Sequence, residues 1–306
     1  MGKTAFIFPG QGSQYVGMGK DFYEQIPLSA EIFDLAQEAT GLPVAKICFE
    51  PNEEIHVTKY TQIAMLAAEI AMLRALEQEG VKADAAAGLS LGEYGALAAA
   101  RAIGDRDLFA LIAKRGLYMQ EAVPVGGAMT AVLGLDGAAV EAVCQDIEGR
   151  VSVANYNCPG QIVITGEQAA VDAAARRLKE AGAKRCVPLQ VSGPYHSPML
   201  SGAGEKLQEA LTGVEVFDPI IPYVANVTAD YVTKKEEIKP LLARQVSASV
   251  KWQQTMERLI ADGVTTFVEI GPGRTLSGFL KKIDRNIPCL HVEKTEDIAA
   301  VKEALA

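Results

Sequence analysis

The stretch Ala85-Ala86-Ala87-Gly88-Leu89-Ser90-Leu91-Gly92-Glu93-Tyr94 decides the reading of this chain. Ala85 to Gly88 are small enough for a short buried strand, and a helix-forming run follows over 91–100. Gly88-Leu89-Ser90-Leu91-Gly92 between them fits G-x-S-x-G, the pattern of a serine at a sharp strand-to-helix turn. Glycine is needed on both sides because any Cβ there would meet neighbouring backbone. The helix that follows aims free N–H groups and a positive dipole end at the Ser90 hydroxyl. The plainer alternative is a Gly-Ser turn that merely starts a helix.

The same rhythm continues on both sides. Residues 4–8 form a short apolar run closed by Pro9 and the turn Gly10-Gln11-Gly12-Ser13, which predicts a buried strand. Helices are predicted over 30–39 and 61–79, and another from an Asp105 cap to about Pro124. Strand alternating with helix argues for a mainly parallel sheet covered by helices. After Pro124 the order changes. Strands are predicted over 129–135, 151–155, 161–165 and 186–191, with helices over 138–147 and 169–181 and a turn Tyr156-Asn157-Cys158-Pro159-Gly160. That is β-α-β-β-α-β, the ferredoxin-like pattern. After Pro198 the first rhythm resumes: a strand near Tyr223, helices over 240–261, a strand over 266–270, a helix over 275–282, a strand over 288–292 and a helix over 298–305. The expected fold is therefore α/β. A large α/β-hydrolase-like catalytic domain comprises 1–124 and 198–306, and a small ferredoxin-like domain, 125–197, is inserted in it.

Composition fits this size and class. A chain of 306 residues suggests about two domains, or one with an insertion. With 49% hydrophobic and 22% charged residues it lies near the globular average, which excludes disorder, collagen and coiled coil. A net charge of −9 speaks against nucleic acid as a partner. Five scattered cysteines without a C-x-x-C pair indicate neither a zinc site nor a disulfide framework, and they fit the cytoplasm. The N-terminal apolar run is short for a signal peptide, and Glu69, Arg74 and Glu93 interrupt the longest apolar stretches, so no membrane segment is expected. The sequon Asn226-Val227-Thr228 is then without meaning for glycosylation.

A serine hydroxyl needs a base. His56 lies in a polar stretch and reads as a surface residue. His291 ends a predicted strand, where a hydrolase of order Ser…Asp…His would carry its histidine. His196 stands in the non-periodic loop Ser192-Gly193-Pro194-Tyr195-His196-Ser197-Pro198, where the small domain returns to the large one and a cleft should form. His196 is favoured, and His291 stays open. Neither Gly-rich turn is a dinucleotide loop: Gly10-Gln11-Gly12-Ser13 lacks a third glycine, and Gly271-Pro272-Gly273 has Leu276 where one is wanted. The Leu91 N–H and an N–H of a loop after another parallel strand would suit a tetrahedral oxyanion better. Arg115 lies seven residues beyond Leu108 on the stripe of Leu111, Ile112 and Met119, so its guanidinium points inward. It needs an anion there, either an internal carboxylate or one brought by a substrate.

At this point the chain resembles the malonyl-CoA:acyl carrier protein transacylases. Phe8-Pro9-Gly10-Gln11-Gly12-Ser13-Gln14, Gly88 to Tyr94, Arg115 with Met119-Gln120-Glu121-Ala122, Asn155 with Asn157, Pro159-Gly160-Gln161, Val191 to His196, Arg244-Gln245 before Trp252, and Glu269-Ile270-Gly271-Pro272-Gly273 carry the likeness. They run in order along essentially the whole chain. Leu89 departs from the pattern, since many relatives have His there; this residue is not the base in the family, and the change bears on pocket shape. The resemblance implies Ser90 as nucleophile and His196 as base, with backbone N–H groups of Gln11 and Leu91 as the oxyanion hole. It implies Arg115 as the clamp on the malonyl carboxylate and the Gln245 main-chain carbonyl as the group that orients His196. It further implies ping-pong transfer from malonyl-CoA to the phosphopantetheine thiol of acyl carrier protein, for fatty-acid or polyketide synthesis, with no metal or other cofactor.

A serine hydrolase or thioesterase would use the same elbow but admit water; a dinucleotide-binding module and a non-catalytic scaffold fit the residues less well. A monomer is expected. Because acyl carrier proteins are acidic and this chain is too, a local basic patch is expected at the cleft mouth, from Lys281, Lys282 and Arg285 or from Arg176, Arg177, Lys179, Lys184 and Arg185.

Overall fold

Alternation within the strands sets the layers of the molecule. In the computed structural model, which describes residues 2–191 and 193–305, ten strands are seen: β1 (Lys3–Phe8), β2 (Ala85–Gly88), β3 (Gly127–Leu133), β4 (Val151–Cys158), β5 (Gln161–Glu167), β6 (Arg185–Pro188), β7 (Tyr223–Val224), β8 (Tyr231–Val232), β9 (Val264–Ile270) and β10 (Cys289–Val292). Ser192 of the predicted histidine loop lies outside the described residues. Phe6 and Phe8 of β1 face one core while Ala5 and Ile7 face a second, and Ala86 of β2 is set against Ala85 and Ala87 in the same way. A sheet buried on both faces needs apolar residues at every position, which is why these strands read as unbroken apolar runs.

The larger sheet has the order β10-β9-β1-β2-β7-β8. Its pairs are parallel except for the edge strand β8, so the sheet is mixed. The helix Thr58–Gln78 is buried almost all round beneath it, as an evenly apolar helix must be. The sheet runs both ways from β1, to β2 on one side and β9 on the other, so a crevice opens beyond the carboxyl ends of β1 and β2. Ser90 and the Gly10–Gly12 turn lie at this crevice.

The smaller sheet is antiparallel, in the order β4-β5-β3-β6. Val132, Ile162 and Ile164 face the helices Gly137–Gln145 and Gln168–Glu180, whereas Met129 and Val163 face the crevice. Residues 156–158 correct the sequence reading. They continue β4 instead of forming a turn, because the Tyr156 N–H donates to the Val250 carbonyl at 2.9 Å and Val250 N–H donates to Ala154 at 2.8 Å. The edge of β4 is thus bonded to the segment beside the larger sheet. A second correction concerns Asp105, which is the first helical residue and not the cap; Gly104 caps, and the Asp105 carboxylate accepts from the buried Arg74 guanidinium instead. A third concerns Pro240, which stands exposed inside the helix Lys235–Gln245 and not at its start. The helix Ser201–Leu211 and the two-residue strand β8 were not expected from the sequence.

Candidate active site

The serine elbow is built by close backbone packing. A Cβ on Gly88 would lie 1.8 Å from the Gly92 carbonyl oxygen, and one on Gly92 would lie 2.2 Å from the Phe8 oxygen. Both glycines are therefore required, and the elbow rests on the end of β1. Ser90 itself takes φ 57°, a left-handed conformation that a non-glycine residue holds only when its surroundings compel it. Its N–H donates to Asn226 Oδ1 at 2.6 Å and its carbonyl accepts from Gln245 Nε2 at 2.9 Å. Asn226 is in turn fixed by donating from Nδ2 to the Gly88 carbonyl at 2.7 Å.

His196 reaches the same hydroxyl from the loop after β6. It too sits at φ 57°. Its neighbours lock the loop: Ser197 Oγ donates to the Pro194 carbonyl at 2.7 Å, and Tyr195 Oη lies 2.6 Å from Thr58 Oγ1. The ring stands between Ser90 Oγ, 2.7 Å from Nε2, and the Gln245 carbonyl, 2.9 Å from Nδ1. A carbonyl can only accept, so Nδ1 carries the hydrogen and Nε2 offers its lone pair to the serine O–H. That carbonyl ends the helix Lys235–Gln245, where the last C=O groups lack partners within the helix. Burial, and then the Arg115 cation, push the imidazole down to about 4, against a smaller upward pull from the Gln245 carbonyl. The ring is therefore neutral and competent as a base at neutral pH. The other two histidines are elsewhere: His56 is exposed beside Gln14, and His291 Nε2 meets the Gly273 carbonyl.

Arg115 is buried, as its helical position predicts. No ion pair of Arg115 occurs among the described residues, so the internal-carboxylate alternative is not what holds it. Nη1 donates to Gln62 Oε1 at 2.7 Å, and Nη2 to Gln245 Oε1 at 2.8 Å and to Ser90 Oγ at 3.2 Å. The Tyr94 ring lies 5.5 Å away. A full positive charge is thus held by neutral groups within reach of the serine hydroxyl, and its burial lowers the guanidinium pKa.

A cavity of about 230 Å³ opens over Ser90. Gly10, Gln11 and Leu91 line it from the larger sheet, Met129, Asn155, Asn157 and Val163 from the smaller one, and Leu189, Val191 and Tyr195 from the histidine loop. Leu276 and Phe279 of the helix Thr275–Ile283 close another wall. That helix is anchored by Glu269, whose carboxylate accepts from the Leu276 and Ser277 N–H groups at 2.9 and 2.8 Å. The Gln11 and Leu91 N–H groups, which border the cavity, have no hydrogen-bond acceptor among the described residues.

Three residues of this site escaped the sequence reading. Gln62 is a polar residue on an evenly apolar helix, the same signal that exposed Arg115. Asn226 shows in the sequence only as part of a sequon, but it is fully buried and clamps the elbow. Glu93, fully enclosed under the elbow, accepts from Gln245 Nε2 at 2.7 Å and from the Asn226 N–H at 3.1 Å. Burial raises its carboxyl to about 7, while Gln245, Asn226 and Arg115 pull it down. None of the five thiols lines the cavity, and burial raises all of them, Cys144 and Cys289 to about 11. No group of three or more His, Cys, Asp or Glu among the described residues is placed to hold a metal ion, and no described helix is long and apolar enough to cross a membrane.

The acyl transferase domain model matches residues 5–295. The malonyl CoA-acyl carrier protein transacylase of Bacillus subtilis is 45% identical over 310 residues, covering 100% of this chain and 98% of its own. The chain belongs to the malonyl CoA-acyl carrier protein transacylases. Other members of the family superpose closely. The crystal structure of MCAT from Streptococcus pneumoniae has a TM-score of 0.95 at 45% identity, covering 99% of this chain and 100% of that one. A malonyl-transacylase in complex with a type II PKS acyl-carrier protein has a TM-score of 0.95 at 39% identity, with 99% of each chain covered.

Proposed function

We propose that this protein transfers the malonyl group of malonyl-CoA to the phosphopantetheine thiol of an acyl carrier protein. The observation that carries the reading is the meeting of Ser90 Oγ, His196 Nε2 and Arg115 Nη2 in one cleft. Ser90 attacks the thioester carbonyl as His196 Nε2 takes its proton. The tetrahedral oxygen is received by the N–H groups of Gln11 and Leu91. Collapse expels coenzyme A as a thiol, protonated by His196, and leaves a malonyl ester on Ser90. The carrier-protein thiol then attacks the ester, giving its proton to His196, which returns it to Ser90 Oγ. The Gln245 carbonyl holds the needed tautomer throughout, though it stabilises imidazolium less than a carboxylate would. Arg115 turns its fork to the free malonyl carboxylate, which supplies the direct ion-pair partner that no described side chain gives it. The residues that do this work carry no need for a metal or a further cofactor.

The parts fall into a large α/β-hydrolase-like domain, 1–124 and 198–306, with an inserted ferredoxin-like domain, 125–197. The strand order β4-β5-β3-β6 supports the second description and the serine elbow the first. We place the enzyme in the cytoplasm, as a monomer, supplying extender units for fatty-acid synthesis; the likeness to a transacylase bound to a polyketide carrier protein keeps that second pathway as an alternative setting. Of the two basic clusters, Lys281, Lys282 and Arg285 are the better placed for an acidic carrier protein, since the helix bearing the first two also walls the cleft. Arg177 of the other cluster is paired with Asp146.

Intact mass spectrometry tests the reading. Malonyl-CoA alone should leave one persistent malonyl adduct, which holo carrier protein discharges. Steady release of free malonate without an adduct would instead make the protein a serine hydrolase or thioesterase. Acetyl- and methylmalonyl-CoA in the same assay measure acyl selectivity.

A further inference from the structure

Beneath the elbow one carboxylate ties together both segments that clamp the nucleophile. Glu93 belongs to the first turn of the helix Gly92–Ala99, three residues after Ser90. Its Oε2 accepts from Gln245 Nε2 at 2.7 Å and from the Asn226 N–H at 3.1 Å. Asn226 follows β7 by two residues and accepts the Ser90 N–H; Gln245 ends a helix and binds both Ser90 and His196. Each of the two therefore touches Glu93 with one group and the reacting residues with another.

We propose that Glu93 is a positioning residue for this site: by accepting from Gln245 and Asn226 at once, it fixes the Ser90 elbow and the carbonyl that orients His196 in a single frame. The Gln245 amide shows why an acceptor is required. Arg115 can only donate, so Gln245 Oε1 must face it, at 2.8 Å. The two hydrogens of Gln245 Nε2 then point at the Ser90 carbonyl, 2.9 Å away, and at Glu93. Without an acceptor at position 93 the only other acceptor for that hydrogen is Asn226 Oδ1, at 3.4 Å, and the amide can turn toward it. Rotation would withdraw support from the Ser90 carbonyl and shift the residue whose own carbonyl holds His196. The remaining Glu93 oxygen, Oε1, is buried without a partner. A neutral amide can set its oxygen at the Oε2 position and restore the acceptor, at the cost of an NH₂ group placed where Oε1 now has no partner.

The inference rests on Ser90 as nucleophile and His196 as base, but its test does not need malonyl-CoA. The readout is the rate at which a small uncharged sulfonyl fluoride labels Ser90, per folded molecule, followed by intact mass. Glu93→Met keeps the volume and removes the acceptor, and it should slow labelling about a hundredfold, as a misplacement near 1 Å does. Glu93→Gln should label within about threefold of the unaltered protein, since the acceptor is restored. The KM for malonyl-CoA should stay nearly constant in both variants, because Arg115 keeps Gln62, while kcat follows the labelling rate. Labelling of Glu93→Met at the unaltered rate would overturn the inference and leave the nucleophile standing. Glu93→Gln as slow as Glu93→Met would overturn it too. Absence of labelling in the unaltered protein would overturn the nucleophile assignment, and this inference with it.

Discussion

Ser90 and His196 share a left-handed backbone, both at φ 57°, yet the two segments that deliver them are held in different ways. The serine elbow joins a strand to a helix, and its glycines are squeezed against backbone atoms of the helix start and of the end of β1. The described residues of the histidine loop, 189–191 and 193–197, form no helix or strand, and they are fixed through side chains: the Ser197 hydroxyl, the Tyr195 phenol and the His196 ring, which meets the Gln245 main-chain carbonyl. Backbone packing leaves a sequence motif because only one residue type tolerates it. Fixation by side chains leaves none, because many residues can form such bonds. One of the two proposed reacting residues is therefore written in a pentapeptide, whereas the other has to be chosen among three histidines.

The largest effects test whether the two segments form one machine. His196→Ala should lower malonylation of Ser90 by a factor on the order of 10⁴, the upper range for a general base, measured by rapid quench and intact mass. His291→Ala should leave the rate unchanged, since that ring is committed to Gly273. The reverse result would replace the histidine loop with the β10 end as the source of the base.

Next in size is the difference in how each segment takes a methyl group. Gly92→Ala puts a Cβ 2.2 Å from the Phe8 oxygen and 2.6 Å from the Pro9 oxygen, both backbone, and should destabilise the fold by about 3 kcal/mol or more. Gly193→Ala meets only the movable Tyr195 ring, at 3.2 Å, and should cost about 1 kcal/mol. Urea denaturation measures both. Equal losses would mean that the histidine loop is held by backbone packing as well.

Arg115 belongs to neither segment but touches both. Arg115→Ala should remove about 2–3 kcal/mol of malonyl transition-state binding while acetyl transfer is kept or gained. A parallel fall in the two kcat/KM values would make Arg115 a support for Ser90 and not a carboxylate clamp. The smallest effect is on pH. Because the His196 pKa lies near 4 instead of 6.5, sulfonyl fluoride labelling of Ser90 should hold from neutrality to about pH 5 and bend near pH 4. A depressed imidazole contributes stability that is complete above 6.5 and lost as the pH falls through about 4. Arg115→Ala should move the bend upward, since the neighbouring cation is gone; a bend at 6.5 in the unaltered protein would place the ring in solvent.

The order of strands and helices was legible, because period-2 and helical patterns are local. So were Ser90, His196 and Arg115, each a residue type out of place in its segment. Gln245 and Gln11 came only from the resemblance, since a backbone carbonyl or N–H has no signature. Glu93 and Asn226 were missed for a related reason. They act on partners more than a hundred positions away, and no local pattern reports such a pairing. The continuation of β4 over 156–158 was hidden likewise, because its bond partner is Val250.

The placement of the cysteines has a chemical consequence. An enzyme that parks an acyl group as an oxygen ester between two thiols is exposed to capture by its own sulfur. Here each thiol stands outside the cleft and is kept protonated by burial, Cys144 and Cys289 titrating only near 11. Thiolate is the reactive form, so the malonyl ester meets no rival nucleophile from its own chain. In the proposed mechanism the acyl group can therefore wait on Ser90 for an incoming thiol, and self-acylation at sulfur is closed off by where the protein keeps its cysteines.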